Sequence, residues 1–515
     1  MRRIHNSAML CYPPTDSAKD NAKILSGEEL AEYYRAEDEN YRRTAWGRLY
    51  DYLGEEGRDL ADAIKDYYTV FDPKVAVWLA RLYDPNIGGI YYSNSARDTE
   101  GYAPDVESTA QGFSIIPRTG MAYLHGNAYK KVLPRDMLDE VGRYIKSLQE
   151  PDGFFYNYQW TKESHVTSRL SRDLSSSLGI LEHCSMRPTY NAPTGERGDG
   201  IKVELPNGVK RAVGSGEAKD SHSPTVKAAS NSESSHMTFL ENTETLKEYL
   251  EGLKANPGAL GWYYIGSTVN TLMRQIKQRD NELREKFYAI EENRGQEFTG
   301  LKDTVIKFFN ENQNPESGHW EKEYGYLAVN AILKITGVYN QAEVEMNYAE
   351  KLVEAAFGAV LSSKEEMTAV VDVYNPWSAV GGIIANISSH GRSVTIDGKV
   401  LSAKERADRL LSYVRKSAVR AVYATKDKLA VFKKADGSFS YTPKYSSQHS
   451  QRMPVAVPNS EEGDVNATEL AINATTRAML YTLGLEEYRP NVFGASELKV
   501  YLDTVGEIRR NKALV

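Results

Sequence analysis

The sequence predicts an all-α fold: about six helical hairpins arranged as an α/α toroid, preceded by a helical lead-in and interrupted by a long inserted loop. Three observations carry this. A helix-ending Asp-Gly or Pro-Gly stop followed by an aromatic zigzag recurs along the chain. The helix before each stop is amphipathic. The helix after it is apolar or small nearly all round, as burial on several sides requires.

Residues 1–70 contain a charged, Tyr-rich helix pair, "EELAEYYRAEDENYRRTAWGRLYDYL", which is expected to pack on the ring as a lead-in. The ring itself is expected over 71–485. Its first unit is "RLYDPNIGGIYYSNSARDTEGYAPDVESTAQGF", with a stop from Asp84 to Gly89 and a new helix opening near Glu107. The second, "SLQEPDGFFYNYQWTKESHVTSRLSRDLSSSLGIL", stops at Asp152-Gly153 and is read to restart near Asp173. "NPGALGWYYIGSTVNTLMRQI" is a further unit, and "NQNPESGHWEKEYGYLAVNAILKITGVY" a shorter one that turns at Gly318 and restarts near Glu323. "DVYNPWSAVGGIIANI" is a degenerate unit entering a helix at Pro376, with its inner helix near Trp377. The last begins with "FKKADGSFSYTPKYSSQHSQ" and completes in "EEGDVNATELAINATTRAMLYTLGL", near Asn466. One period separates Gly89 from Gly153, and close to two separate Gly318 from Gly437. Residues 486–515 form a C-terminal extension.

An amphipathic helix paired with a buried one can cover its apolar side only against neighbouring pairs, and closing the series into a ring covers every pair. Residues 190–236 break the second unit with Gly, Ser and mixed charge. A connection that long inside a compact domain reads as a flap near the ring mouth. A hairpin is expected across Pro206-Asn207-Gly208, and proteolysis is expected first between Asn191 and Ser235.

The pattern of a helix, then "DGFFYNY" or "DGSFSY", then a buried helix resembles the repeat of the terpenoid cyclase and protein prenyltransferase superfamily. It is similar also to the α/α-toroid glycoside hydrolases and polysaccharide lyases. The resemblance implies the fold over roughly residues 75–485 and leaves the chemistry open.

Composition narrows the chemistry. A net charge of −7 offers no broad basic surface for nucleic acid or anionic lipid. Two cysteines, Cys11 and Cys184, supply neither a disulfide scaffold nor a thiolate zinc site. No apolar run is long enough to span a membrane, and no signal-peptide core precedes Pro13-Pro14, so a cytoplasmic protein is expected. No P-loop, Gly-x-Gly-x-x-Gly, His-Glu-x-x-His or Gly-x-Ser-x-Gly occurs. The cyclase Asp-x-Asp-Asp motif and a second-half cysteine for a prenyltransferase zinc are absent too. No cofactor and no metal are expected.

In such a ring the polar residues at the start of each buried helix converge on one mouth. His165, Glu107, Glu323 and Asp464 are the candidate catalytic groups. Arg169, Arg172, Tyr264, Trp320, Tyr326, Tyr374, Asn375, Trp377 and Gln451 are the candidate substrate contacts. Alternative roles compete at each position: helix caps for Asp464, a local ion pair for the arginines, core packing for the tryptophans. Together, carboxylates, a histidine, arginines, amides and a surplus of tyrosine (34 against 13 Phe and 6 Trp) suit a sugar, whose faces stack on rings and whose hydroxyls bind amides and carboxylates. The expected function is a carbohydrate-active enzyme, glycoside hydrolase or lyase, acting on oligosaccharides, including ones that carry a uronate. Hydrolysis needs two carboxyl groups; elimination needs a base and a group that stabilises an enolate. A non-catalytic glycan- or peptide-binding toroid, and isoprenoid chemistry, are the alternatives.

Overall fold

Six times along the chain a helix is followed by a second helix that packs on its counterpart in the next pair, in a computed structural model that describes residues 27–206, 209–212, 225–227, 234–396 and 398–512. The first members of the pairs are Val75–Leu82, Arg135–Ser147, Thr243–Ala255, Leu301–Asn312, Ala349–Leu361 and Ala418–Ala430. The second members are α1 (Val106–Thr119), α2 (Thr167–His183), α3 (Gly261–Ala289), α4 (Tyr326–Ala342), α5 (Val371–His390) and α6. Helix α6 runs as Val465–Glu469, a π-helical turn Leu470–Ala474, and Thr475–Thr482. Among the described residues the sheets are two-stranded antiparallel pairs only, so the fold is all-α.

The recurrent stop is one local structure. Asp152 accepts the N–H of Phe154 at 3.1 Å, Gly153 takes φ +83°, and the Tyr156 N–H returns to the Leu148 carbonyl at 3.0 Å. In the last unit Asp436 accepts from Ser438 at 3.0 Å, Gly437 takes φ +84°, and Ser440 N–H meets Phe432 O at 2.9 Å. The first unit repeats it with Asp84, Gly88 (φ +88°) and a Tyr91–Leu82 bond of 2.9 Å. The left-handed residue there is Gly88, one position before the Gly89 of the sequence alignment. A side chain at Gly153 would put its Cβ 2.2 Å from the Asn191 carbonyl oxygen, so geometry and space both demand glycine.

The second helices contact one another in chain order: α1 with α2, α2 with α3, α3 with α4, α4 with α5, α5 with α6, and α6 with α1. One hydrophobic core runs through them from Leu49 to Val505. The lead-in helix Gly27–Leu53 packs on the C-terminal helix Ala495–Lys512, which packs on Val75–Leu82.

Helices α1 and α6 begin where the sequence places them, capped by Asp105 and Asp464. The others differ. Helix α2 starts six residues before Asp173, and α4 starts after Glu323, at Tyr326. Helix α5 starts at Val371, because Asp372 accepts the N–H groups of Thr368 at 2.9 Å and Ala369 at 3.0 Å and so fixes its entry. Pro376 therefore lies inside that helix, not at its start.

The inserted segment is more anchored than its composition suggests. Lys146 holds Asp199 at 2.6 Å, Asn191 accepts from Gly198 at 3.0 Å, and Arg211 donates to Tyr156 O at 3.0 Å and Ser147 O at 3.2 Å. Residues 201–206 and 209–212 form no strand, so the described parts do not build the expected hairpin. Asn207 and Gly208, with 213–224 and 228–233 of the expected cleavage region, lie outside the described residues, as does Cys11.

Candidate functional site

At the start of α1 and α2 the sequence gathers five charged side chains, four buried and Arg172 half-buried. Arg169 has no exposed surface and faces three carboxylates. Its Nε lies 3.0 and 2.9 Å from the two Asp173 oxygens, one Nη reaches Asp105, and the other sits 3.2 Å from Glu107. The guanidinium stacks 4.9 Å over the Trp160 ring. Arg172, one helical step on, pairs with the opposite oxygen of Glu107. Glu107 also accepts from Gln111 at 3.2 Å and from the Ser450 hydroxyl at 2.7 Å. Each of its oxygens thus has one hydrogen-bond donor and one guanidinium beside it.

Electrostatics follow from that count. Burial opposes the charge on Glu107, but Arg172, Arg169, the Ser450 hydroxyl and Lys334 outweigh it and hold its carboxyl below the usual range. Burial also opposes the charge on Arg169, and Asp173, Asp105 and Glu107 reverse that and raise it. Three carboxylates share two guanidiniums. Burial, aided by the charges of Asp105 and Glu107, pushes Asp173 up to about 7 against the pull of Arg169.

His165 adjoins this cluster and is also fully buried. Its Nε2 accepts the Asn157 backbone N–H at 3.2 Å, which leaves Nδ1–H to donate to the Thr161 carbonyl at 2.9 Å. Burial first, then Arg169, hold the imidazole down to about 4, so it is neutral near pH 7. Both ring nitrogens serve the backbone. The expectation that His165 moves a proton on substrate is corrected: it is a strut that, with Asn157, shapes the turn. Asn157 in turn donates to Asp173 at 2.6 Å and accepts from Val106 N–H at 2.9 Å.

Beyond Glu107 and Arg172 the helices contribute a further group each. Lys334 on α4 lies 5.7 Å from the centre of the Tyr263 ring on α3. Burial first, then the repulsion of Arg172, bring its ammonium down to about 8, while Glu107 pulls the other way. Lys334 and Tyr263 both keep some accessible surface, although burial is the main cause of the shift at each. Burial raises the Tyr263 phenol and Arg172 eases it. The Tyr441 phenol is raised by burial, then by Tyr263, Asp464 and Asp372, and is lowered by Arg172. Asn330, one turn before Lys334 on the same face of α4, accepts from Asn375 at 2.8 Å. Gln111 donates to Asn466 at 3.0 Å across the α1–α6 contact.

The other sequence candidates divide. Tyr264 is buried under the Arg452 guanidinium, 4.1 Å from the ring centre. Gln451 and Arg452 form the turn of the His449–Ser450/Met453–Pro454 hairpin with φ +47° and +68°. Neither is a glycine or asparagine, the usual residues of such a turn, so the hairpin that delivers Ser450 to Glu107 is strained. Asp464 is fully buried as the α6 cap, accepting from Ala467 at 2.7 Å and Ser447 at 3.2 Å, and burial pushes it up to about 7. Glu323 is exposed on a loop, apart from the Glu107 cluster. Trp320 bonds the Phe309 carbonyl at 2.9 Å, and Trp377 bonds Thr425 at 2.9 Å; Trp377 is core. Tyr326 bonds Ser362 at 2.7 Å beside Lys428, which caps the helix ending at Leu361. Tyr374 lies nearer Glu469 and Arg118, accepting from Ser378 at 3.2 Å.

Lys334, Tyr441 and Ser450 are the groups that sequence reasoning left out of the site. Lys334 had one signal, a lone charge inside "AILKITGVY", a helix otherwise apolar or small nearly all round in sequence. Among the described residues no group of three or more His, Cys, Asp or Glu is placed to hold a metal ion, and no helix is long and apolar enough to cross a membrane. No protein-family model, curated protein or solved structure matches the chain.

Proposed function

We propose that the six hairpins close as an α/α toroid, and that the recess between Arg172, Lys334, Tyr263 and Tyr441 cleaves uronate-containing oligosaccharides by β-elimination. The cyclic order of helix contacts supports the ring. A polar, tyrosine-lined recess favours sugars over isoprenoids, which need an apolar wall.

The observation that carries the choice of chemistry is the state of Glu107. Two hydrogen-bond donors, Gln111 and Ser450, and two guanidiniums surround its carboxylate and hold its pKa down, so it is a poor general acid and its charge is already spent on the arginines. Asp464 is a helix cap, and Glu323 lies elsewhere. Neither pairs with Glu107 as the second carboxyl that hydrolysis requires, and Asp105 and Asp173 are fully buried and paired with Arg169. What lines the recess is a lysine that titrates near neutrality, protonated phenols and an arginine.

Those groups suit elimination. The Arg172 guanidinium binds the uronate carboxylate and stabilises the enolate that forms when the carbon beside it loses a proton. The unprotonated Lys334 amine takes that C5 proton. As the C4–O bond breaks, its electrons leave with the glycosidic oxygen, which takes a proton from the Tyr263 phenol, and a C4=C5 double bond remains. Lys334 then returns a proton to the Tyr263 phenolate, restoring the site.

The test is ultraviolet absorbance of the unsaturated product during incubation with uronate oligosaccharides. The rate is expected to rise as pH passes about 8 from below, because Lys334 must be unprotonated. Lys334→Ala is expected to lower turnover by about 10² to 10⁴. Release of reducing ends without new absorbance would mean hydrolysis. Binding with no product at any pH would mean a glycan-binding protein without catalysis.

A further inference from the structure

A concave site opens at the entrance of α3. It is a cleft of about 630 Å³ between the starts of α3 and α4, within the size range of small-molecule sites. Its walls are Trp262, Trp320, Tyr324 and Leu327. Tyr324 is 58% exposed and Leu327 38%, an unusual display for large apolar side chains. The rings are nonetheless held. Tyr324 donates to the Ala355 carbonyl at 2.9 Å, and Trp262 packs 5.8 Å from Phe308. Glu321 accepts the Trp262 backbone N–H at 2.5 Å, which fixes the α3 entrance against the loop.

Charge decides what such a cleft takes. Glu321 and Glu323 are balanced by Lys254 and Lys322, so neither an anion nor a cation is favoured. Flat apolar faces with donors and acceptors at the edge fit a neutral polyhydroxylated ring. The inner recess, by contrast, holds Arg172 and Lys334 and selects a carboxylate. The two sites share a wall: Trp262 and Tyr263 are consecutive on the first turn of α3, and they line the cleft and the recess respectively.

We infer that the cleft is a distal subsite for a neutral sugar, so that the substrate is a heteroglycan in which a uronate occupies the recess and a neutral unit lies on Trp262 and Tyr324. This rests on the uronate reading of the recess. It gives Glu323 and Trp320 a place in binding the chain's far end, away from the reacting bond.

Calorimetric titration of the full chain with three probes tests it: a neutral cello-hexasaccharide, a hexagalacturonate, and an alternating uronate–neutral hexasaccharide. Tyr324→Ala is expected to weaken the neutral and alternating probes by roughly 10-fold, the value of one stacking contact, and to leave the hexagalacturonate within about 2-fold. Arg172→Ala is expected to do the reverse with the hexagalacturonate. Because Tyr324 is mostly exposed, its removal leaves the core intact, and circular dichroism checks that. Absence of neutral-sugar binding in the wild type overturns the subsite, as does an equal loss on all three probes in Tyr324→Ala. Binding of an apolar peptide there in place of the sugar overturns it also, in favour of a protein-docking cleft. If Tyr324→Ala behaves as stated while Arg172→Ala changes nothing, the subsite stands and the uronate reading of the recess falls.

Discussion

Arg169 and Arg172 are three positions apart and share Glu107, yet their burial separates their roles. Arg169 has no accessible surface and three carboxylate partners, whereas the Arg172 side chain keeps 28% of its surface exposed. Removing Arg169 would strand Asp105, Glu107 and Asp173 without their shared cation. Arg169→Leu is therefore expected to cost about 3–5 kcal/mol, read from urea denaturation. Arg172→Ala should cost well under half of that and act on ligand binding instead; a reversal of the two would dissolve the distinction. Asp464 makes a separate prediction. Its folded pKa, about 7, lies above the ordinary aspartate value near 4, so across that window the native state binds more protons than the unfolded chain. Stability from this residue consequently falls as pH rises from about 4 to about 7, by at most about 1.4 kcal/mol per pH unit. Asp464→Asn keeps an acceptor for the Ala467 N–H and removes the titration. Its urea midpoint, relative to wild type, is expected to climb steadily over that pH range, and a parallel pH dependence of the two proteins would refute the assignment.

At the scale of elements, the recurring turn was legible because its chemistry is local. An aspartate that accepts from two residues on, a glycine at positive φ and alternating aromatics all lie within a few positions of one another. Gly437→Ala should be costly, since φ is +84° and the new Cβ would stand 2.8 Å from the Asp72 carbonyl oxygen. A loss above about 1 kcal/mol is expected from the strained backbone and the contact together, measured as a drop in thermal midpoint; Gly398 has a like φ of +75° but open space around it and should lose less on the same change. Helix starts were legible only where a carboxylate caps locally, at Asp105 and Asp464. At α2 and α5 polar residues continue inside the helix because side chains satisfy them there: Asp173 through Arg169 on its own helix and Asn157 on the preceding turn, Asn375 through Asn330 on α4. The site was legible as a set of helix starts, and less so as roles. His165 reads as a free base in sequence because its partners, two backbone groups, leave no trace in side-chain pattern. Glu107 reads as an open acid because Ser450, which helps saturate it, lies 343 residues away. Lys334 escaped notice for the opposite reason: its helix looks like pure core, and only the fold brings its ammonium over the Tyr263 ring of the neighbouring helix.

For the molecule as a whole, the distinction that matters is between a closed ring and an open stack of hairpins. In an open stack each unit contacts only its sequence neighbours, so the end units fray first and the middle persists. Here α6 returns to α1, with Gln111 donating to Asn466 across the contact, and the chain ends are tied as well. Asp38, in the lead-in helix, accepts the N–H groups of Ala495 at 2.8 Å and Ser496 at 2.9 Å, and so caps the C-terminal helix. That cap spans nearly the full length of the chain. Closure predicts that amide hydrogens in the middle of α1 and α6 exchange as slowly as those in α3 and α4, because no unit is terminal. Asp38→Ala should remove about 0.5–2 kcal/mol, the value of an N-cap. In a closed ring that loss accelerates exchange in the lead-in and C-terminal helices while α1 and α6 stay as protected as α3 and α4. In an open stack it would spread into α1 and α6 first and leave α3 and α4 unchanged. Exchange read by mass spectrometry on peptides from these helices separates the two, and faster exchange in α1 and α6 of the wild type would already exclude a ring.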